Sequence, residues 1–180
     1  MTTADHVTAV CRAAYCQLQQ LRLITTSLTV DATKTLVQSF IACHLDYCNA
    51  LLSGITDTLL RRLQSVQNAA ARLVIGTRRR DHITPVLRQL HWLPVRQRVD
   101  FKTALLVYKA LHDSTAAYLV DDYQLVSQAG RRRLRPADID TCSVPRTSNT
   151  RFGDRSFAVA GPRLWNSLPM TMTLENFVGS

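Results

Sequence analysis

Residues 56–76 read TDTLLRRLQSVQNAAARLVIG, and this stretch decides the fold. Leu59, Leu63, Val66, Ala70, Leu73 and Val74 recur at the three- and four-residue steps of a helix with one apolar stripe. Thr56 or Asp57 suits the start, because a short side-chain oxygen can accept one of the unpaired amides of the first turn. Gly76 suits the end, because glycine enters the left-handed C-terminal conformation without a side-chain clash. Opposite the stripe, Arg61, Ser65, Asn68 and Arg72 follow at steps of four, three and four. That row fits contact with a phosphate backbone and fits an ordinary solvated face equally well.

The same period extends outward on both sides. Val7, Val10, Cys11, Ala14, Leu18 and Leu21 predict an amphipathic helix from Asp5 to Leu23, with Arg12, Cys16 and Gln20 on its far side. A second helix is expected near Asp31, which would cap it, running through Leu36, Val37, Phe40 and Ile41. It continues or restarts through LDYCNALL before Gly54. Downstream, RRRD at 78–81 reads as a loop, and Thr84–Pro85 as the cap and first helical position of a short helix to about Leu90. Pro94 opens a longer helix to about His112. Val95, Val99, Phe101, Leu105, Leu106 and Leu111 leave it only a thin basic stripe of Arg98, Lys102 and Lys109, so a central position is expected.

Residues 116–120 add a helical turn or two. After Asp122 the chain turns polar and basic, is interrupted by Pro136 and Pro145, and loses its helical period. A linker or poorly ordered basic arm is expected there, with a short strand around Cys142 to Val144. A brief apolar element follows at Phe157, Val159, Leu164 and Trp165, in which Pro162 fits a helix start or a turn. The expected fold class is all-α. Segment boundaries fall at 5–76, 77–122 and 123–180.

With 180 residues and 46% hydrophobic content, the chain can bury a core for one domain or two small ones. No run approaches the roughly 18 apolar residues of a membrane helix, and MTTADHV lacks the basic start and apolar run of a secretory signal. An intracellular chain, nuclear or cytoplasmic, is expected. Five cysteines form an odd set, against a closed disulfide framework. Cys11/Cys16 and Cys43/Cys48 share a C-x4-C spacing, wider than the usual zinc pairs even with His44 beside Cys43. Reduced, mostly buried thiols are the expectation, with no metal and no cofactor.

The net charge of +9 is unevenly placed. Residues 61–98 hold nine arginines, no lysine and only Asp81 as an acid; residues 131–163 hold eight arginines against Asp138, Asp140 and Asp154. The remainder carries five basic and nine acidic residues. Arginine bonds phosphate in a two-pronged fashion and stacks on bases, so two such blocks point to a polyanionic partner, RNA or DNA. Arg78, Arg79, Arg80, Arg131, Arg132, Arg133 and Arg135 join Arg61, Ser65, Asn68 and Arg72 as candidate backbone contacts. No membrane and no small-molecule substrate is expected.

No catalytic pattern is convincing. Phosphate-loop, nucleophile-elbow and H-E-x-x-H strings are absent. Asp121 and Asp122, in YLVDDY, follow a helix rather than sit in a hairpin, and read as a solvated acidic pair. Trp92 and Trp165 lie in or beside the arginine blocks. Each has a base-stacking reading and a core-packing reading, and packing is the commoner role of a large aromatic.

Five strings carry a family likeness: HLDYCNALLSGI at 44–55, QNAAARLV at 67–74, DHITPVLRQLHWLPV at 81–95, LLVYKALHD at 105–113 and GDRSFAVAGPRLWNSLP at 153–169. In this order and spacing they resemble the C-terminal part of reverse transcriptases of non-LTR retrotransposons, the long interspersed elements. The resemblance runs from about Asp5 to Pro169. It implies that residues 5–76 form a thumb-like helical bundle that grips template–primer, and that 78–169 form the C-terminal extension. Such a polymerase needs an aromatic-x-Asp-Asp hairpin and a further Asp to hold two magnesium ions. Neither that set nor the Cys-Cys-His-Cys knuckle of some relatives is found here. The resemblance thus implies a non-catalytic, nucleic-acid-binding fragment. Its alternatives are a polymerase part active only with a palm supplied upstream, and a docking remnant with no function of its own.

Overall fold

The computed structural model describes residues 2–46, 52–112, 115–116, 119, 123, 125, 141–145 and 156–168. Six α-helices make up most of these residues, and no strand occurs among them. The fold is all-α.

Helix α1, Thr3–Ile24, starts two residues before the expected Asp5 because Thr2 and Asp5 cap each other. The Thr2 hydroxyl accepts the Asp5 amide at 3.2 Å, and the Asp5 carboxylate accepts the Thr2 amide at 2.9 Å. That amide, followed by the Thr2 hydroxyl, holds the Asp5 carboxyl below its ordinary value. Val7, Cys11, Ala14, Leu18 and Leu21 are buried, while Arg12, Cys16 and Gln20 are exposed, as the periodicity predicts. A 3-10 turn, Thr25–Ser27, leads to α2, Val30–Asp46. Asp31 does not cap α2. Thr29 takes that position, its hydroxyl accepting the Ala32 amide at 3.3 Å, and Asp31 sits in the first turn, where negative charge suits the helix dipole.

Helix α3, Asp57–Ile75, packs against α1 and α2 and against α4, Ile83–Gln89. Leu63, Val66, Ala70 and Val74 are buried, and Leu59 and Leu73 lie half-buried against the same core. Gly76 ends the helix at φ 74°, its amide bonded to the Arg72 carbonyl at 2.8 Å. At α4, His82 takes the cap position expected of Thr84, and Pro85 falls inside the first turn, where a missing amide costs nothing. His91, at φ 56°, closes α4: its amide bonds Arg88 at 3.0 Å, and the Trp92 amide reaches back to Leu87 at 2.8 Å. This is a Schellman closure with histidine where glycine usually stands, and Trp92 and Leu87 are both buried beside it.

Helix α5, Val95–Leu111, opens after Pro94, whose carbonyl accepts the Arg98 amide at 2.9 Å. Two part-buried glutamine contacts fix its start. Gln64 Oε1 accepts the Val95 amide at 2.8 Å, and Gln67 Nε2 donates to the Leu93 carbonyl at 2.8 Å. Gln64 also donates to Gln67 Oε1 at 2.9 Å, so one network satisfies an orphan helix amide and a fully buried side chain together.

The chain forms two compact units, 1–99 and 100–180. The sequence segmentation at 77 and 123 follows changes of composition and does not coincide with them. The first unit holds the core of α1, α2, α3, α4 and the first turn of α5, with Trp92, Val95 and Val99 in it. In the second, Val107, Ala110, Tyr123 and Cys142 form a smaller core with Phe157 and Trp165 against it. Helix α6, Phe157–Ser167, contains Pro162 in its interior rather than at its start, and the proline is buried. Gly161 precedes it for lack of room: a Cβ there would stand 2.7 Å from the Tyr123 hydroxyl and 2.9 Å from Val107 Cγ2. Among the described residues, the strand expected near Cys142 reduces to one antiparallel bridge, Leu125 to Cys142. Asn166 takes the other side of Cys142, accepting its amide at 2.9 Å and donating to its carbonyl at 3.0 Å.

Candidate nucleic-acid interface

Arginines serve a polyanion only if internal acids do not already hold them. In the 61–98 block, Arg96 pairs with Asp57 on the surface. Arg98 donates Nε and Nη2 to the Asp46 carboxylate at 2.5 and 2.6 Å. Both arginines are therefore engaged. Among the described residues, Arg62 bonds only the Thr8 hydroxyl, at 3.1 Å, and Arg72 only the Asp81 carbonyl, at 3.4 Å. The guanidiniums of Arg61, Arg78, Arg79, Arg80 and Arg88 find no partner among the described residues.

The four-residue polar row of α3 splits. Arg61 and Ser65 are exposed, whereas Asn68 and Arg72 are half-buried. Asn68 Oδ1 accepts Gln64 Nε2 at 2.8 Å, which aims it into the glutamine network. Arg72 lies under the turn at 78–81, and its buried Nε has no partner among the described residues. The turn itself is tight. The Asp81 carboxylate accepts the Arg78 amide at 2.8 Å, and the Asp81 amide returns to the Arg78 carbonyl at 3.1 Å. The acid of the block thus shapes the loop that exposes Arg78, Arg79 and Arg80.

At the other end of α3, Arg61 and Ser65 line an open groove of about 550 Å3 between α1 and α3. Each helix contributes one stripe at i, i+3, i+4, i+7: Thr8, Cys11, Arg12 and Tyr15 from α1, and Thr58, Arg61, Arg62 and Ser65 from α3. Three guanidiniums and four hydroxyls line it, and among the described residues no carboxylate does. Two hydrogen bonds cross between the stripes, Arg62 to Thr8 and a 2.7 Å bond shared by Tyr15 and Ser65. Sequence reasoning identified Arg61 and Ser65 but not Thr8, Arg12, Tyr15, Thr58 or Arg62. The matching stripes are visible in the sequence, yet only helix pairing brings them together.

Arg131, Arg132, Arg133 and Arg135 lie outside the described residues, as do Asp121, Asp122 and Cys48. So do most residues of the expected basic arm. Trp92 is buried in the first core, which removes it as a stacking platform; Trp165 is half-buried, its ring 6.5 Å from that of Tyr108 at 21°. Of the described thiols, Cys11 and Cys142 are buried, but Cys16 and Cys43 are exposed, so the expectation of mostly buried thiols fails for half of them. Five helical residues turn a side chain through about 140°, so Cys11 and Cys16 point apart. Burial raises both buried thiols, Cys142 to about 11; at Cys11 the Arg62 charge partly offsets it.

No helix among the described residues is long and apolar enough to cross a membrane. Compared with protein-family models, curated proteins and solved structures, the chain matches none.

Proposed function

We propose that this chain is a non-catalytic, nucleic-acid-binding part of a retrotransposon reverse transcriptase, holding template–primer or element RNA through arginine–phosphate contacts. The observation that carries the reading is the state of the arginines on the first unit. The groove cluster at one end of α3 and the exposed turn at 78–80 are unneutralised among the described residues, and the Arg72 contact to Asp81 joins the α3 row to that turn. Guanidinium groups left in this condition attract a phosphate chain. Residues 131–133 and 135 extend the same charge along the sequence.

The test is a salt titration of RNA and DNA binding. Each phosphate contact releases condensed counterions, so log affinity should fall against log salt by about 0.9 per contact on B-form DNA. Absence of binding at low salt rejects the proposal. On this reading the chain carries no polymerase step by itself. Primer extension with magnesium is expected to give no product, and extension abolished by Asp121→Ala would reverse that view.

A second reading has its own observation. Leu23, Ile24, Leu28 and Val30, around the α1–α2 turn, are large apolar residues left in solvent, Leu23 at 80% exposure. A patch of this kind suits docking on another protein, such as the polymerase palm. Its mark would be aggregation of the isolated chain that co-expression of an upstream polymerase segment relieves.

A further inference from the structure

The α1–α3 groove differs from a plain basic surface in one respect: it has an aromatic ring among its charges. Tyr15 is 39% exposed, lines the groove, and is held by its hydroxyl bond to Ser65. Arg12 stands three residues before it on the same face of α1, and Arg61 and Arg62 stand across from it on α3. A duplex keeps its bases stacked inside and offers a protein its backbone and groove edges. A ring set among guanidiniums is therefore of little use to it. An unpaired strand offers both groups at once, a base face for the ring and a phosphate for the arginines.

From this we infer that the α1–α3 groove holds an unpaired nucleotide of RNA or DNA, its base on the Tyr15 ring and its adjoining phosphates on Arg12, Arg61 and Arg62. The inference rests on the nucleic-acid reading above and specifies which form of strand this groove takes. The Arg78–Arg80 turn has no aromatic residue in it and contacts backbone whether or not the strand is paired. The Thr8, Thr58 and Ser65 hydroxyls add hydrogen-bond partners for phosphate or sugar oxygens. The Tyr15–Ser65 bond limits the loss of side-chain freedom when a base settles on the ring.

The experiment compares a short fluorescent single strand with a blunt duplex of equal length, by anisotropy, on the full chain. Tyr15→Leu should weaken the single strand about tenfold, the loss of one base–aromatic stack, and leave the duplex unchanged. Tyr15→Phe, which keeps the ring, should stay near wild type. An unchanged single-strand affinity in Tyr15→Leu overturns the inference, and so does an equal loss on strand and duplex. Alanine at 78, 79 and 80 separates the two levels: if it weakens both forms while Tyr15→Leu weakens neither, backbone binding stands and the groove assignment falls. If wild type binds neither form, both fall. Photocross-linking of a bromouracil-bearing strand to the unaltered protein gives a readout independent of folding. The adduct should map to the peptide containing Tyr15, and mapping only to other peptides counts against the groove.

Discussion

Arg98 and Asp46 form a two-pronged pair, Nε to Oδ1 at 2.5 Å and Nη2 to Oδ2 at 2.6 Å, with side chains only 26% and 20% exposed. It ties the first turn of α5 to the last residue of α2. Asp46, chiefly through its hydrogen bonds, raises the guanidinium pKa further above an already high value, so the arginine stays charged. Arg98 belongs to the basic block by composition, but its charge is already held.

Removing the acid therefore leaves a half-buried cation without its carboxylate. Asp46→Ala should cost about 2 kcal/mol, below the range for fully buried pairs because water still reaches the site. Denaturant unfolding measures it, and nucleic-acid affinity of the folded variant should not fall. Loss of affinity without loss of stability would mean that Asp46 positions Arg98 for a ligand contact.

The opposite pattern is expected at the turn. Alanine at 78, 79 and 80 removes exposed side chains that have no hydrogen-bond or ion-pair partner among the described residues, so unfolding should shift little. Binding should weaken equally across sequences, since phosphate contacts carry no base information, and the salt slope should shrink by about 2.7 if all three touch phosphate. A sequence-dependent loss would assign these arginines to base edges.

Gln64→Ala strips the acceptor from the Val95 amide and a donor from the buried Gln67 and from Asn68. A buried group left unpaired costs more than a hydrogen bond contributes, and about 1–3 kcal/mol of stability should go. An unchanged midpoint would show that water replaces the glutamine.

His91 occupies a left-handed position at φ 56° that a β-carbon disfavours. His91→Gly should stabilise by about 0.5–1 kcal/mol, and His91→Val should destabilise, because the closure itself is made by backbone amides and only the φ strain changes. Thermal unfolding of the two variants tests the sign.

The thiols should separate by burial. Iodoacetamide at neutral pH should label Cys16 and Cys43 in the native protein, and Cys11 and Cys142 only on unfolding. The folded pKa of Cys142, about 11, lies above its ordinary value of 9.0. The folded state therefore holds this proton more tightly. Its contribution to stability is full below pH 9 and declines as pH rises toward 11, where the unfolded thiolate gains. Cys142→Ala should flatten that decline.

Much of the helical architecture was legible from periodicity. The α1 and α3 stripes and the Gly76 stop came out as expected, because side-chain spacing and a glycine φ are local properties of the chain. Cap positions at α2 and α4 each lie two residues before the expected one: at α2 the Thr29 hydroxyl offers the first-turn oxygen in place of Asp31, and at α4 His82 takes the position with no side-chain cap bond. Pro162 lies inside α6 rather than at its start, beside Gly161, where a Cβ would meet Tyr123 and Val107, residues far away in sequence.

The candidate site divides the same way. That arginines concentrate at 61–98 follows from the sequence, as does the face of α3 from which Arg61 and Ser65 project. Which arginines remain available was decided by tertiary structure: Asp46 closes on Arg98 from 52 residues away, while α1 brings Arg12 and Tyr15 alongside Arg61 and Arg62. A side chain's charge is set by its own chemistry, but its freedom to bind is set by what folding places opposite it.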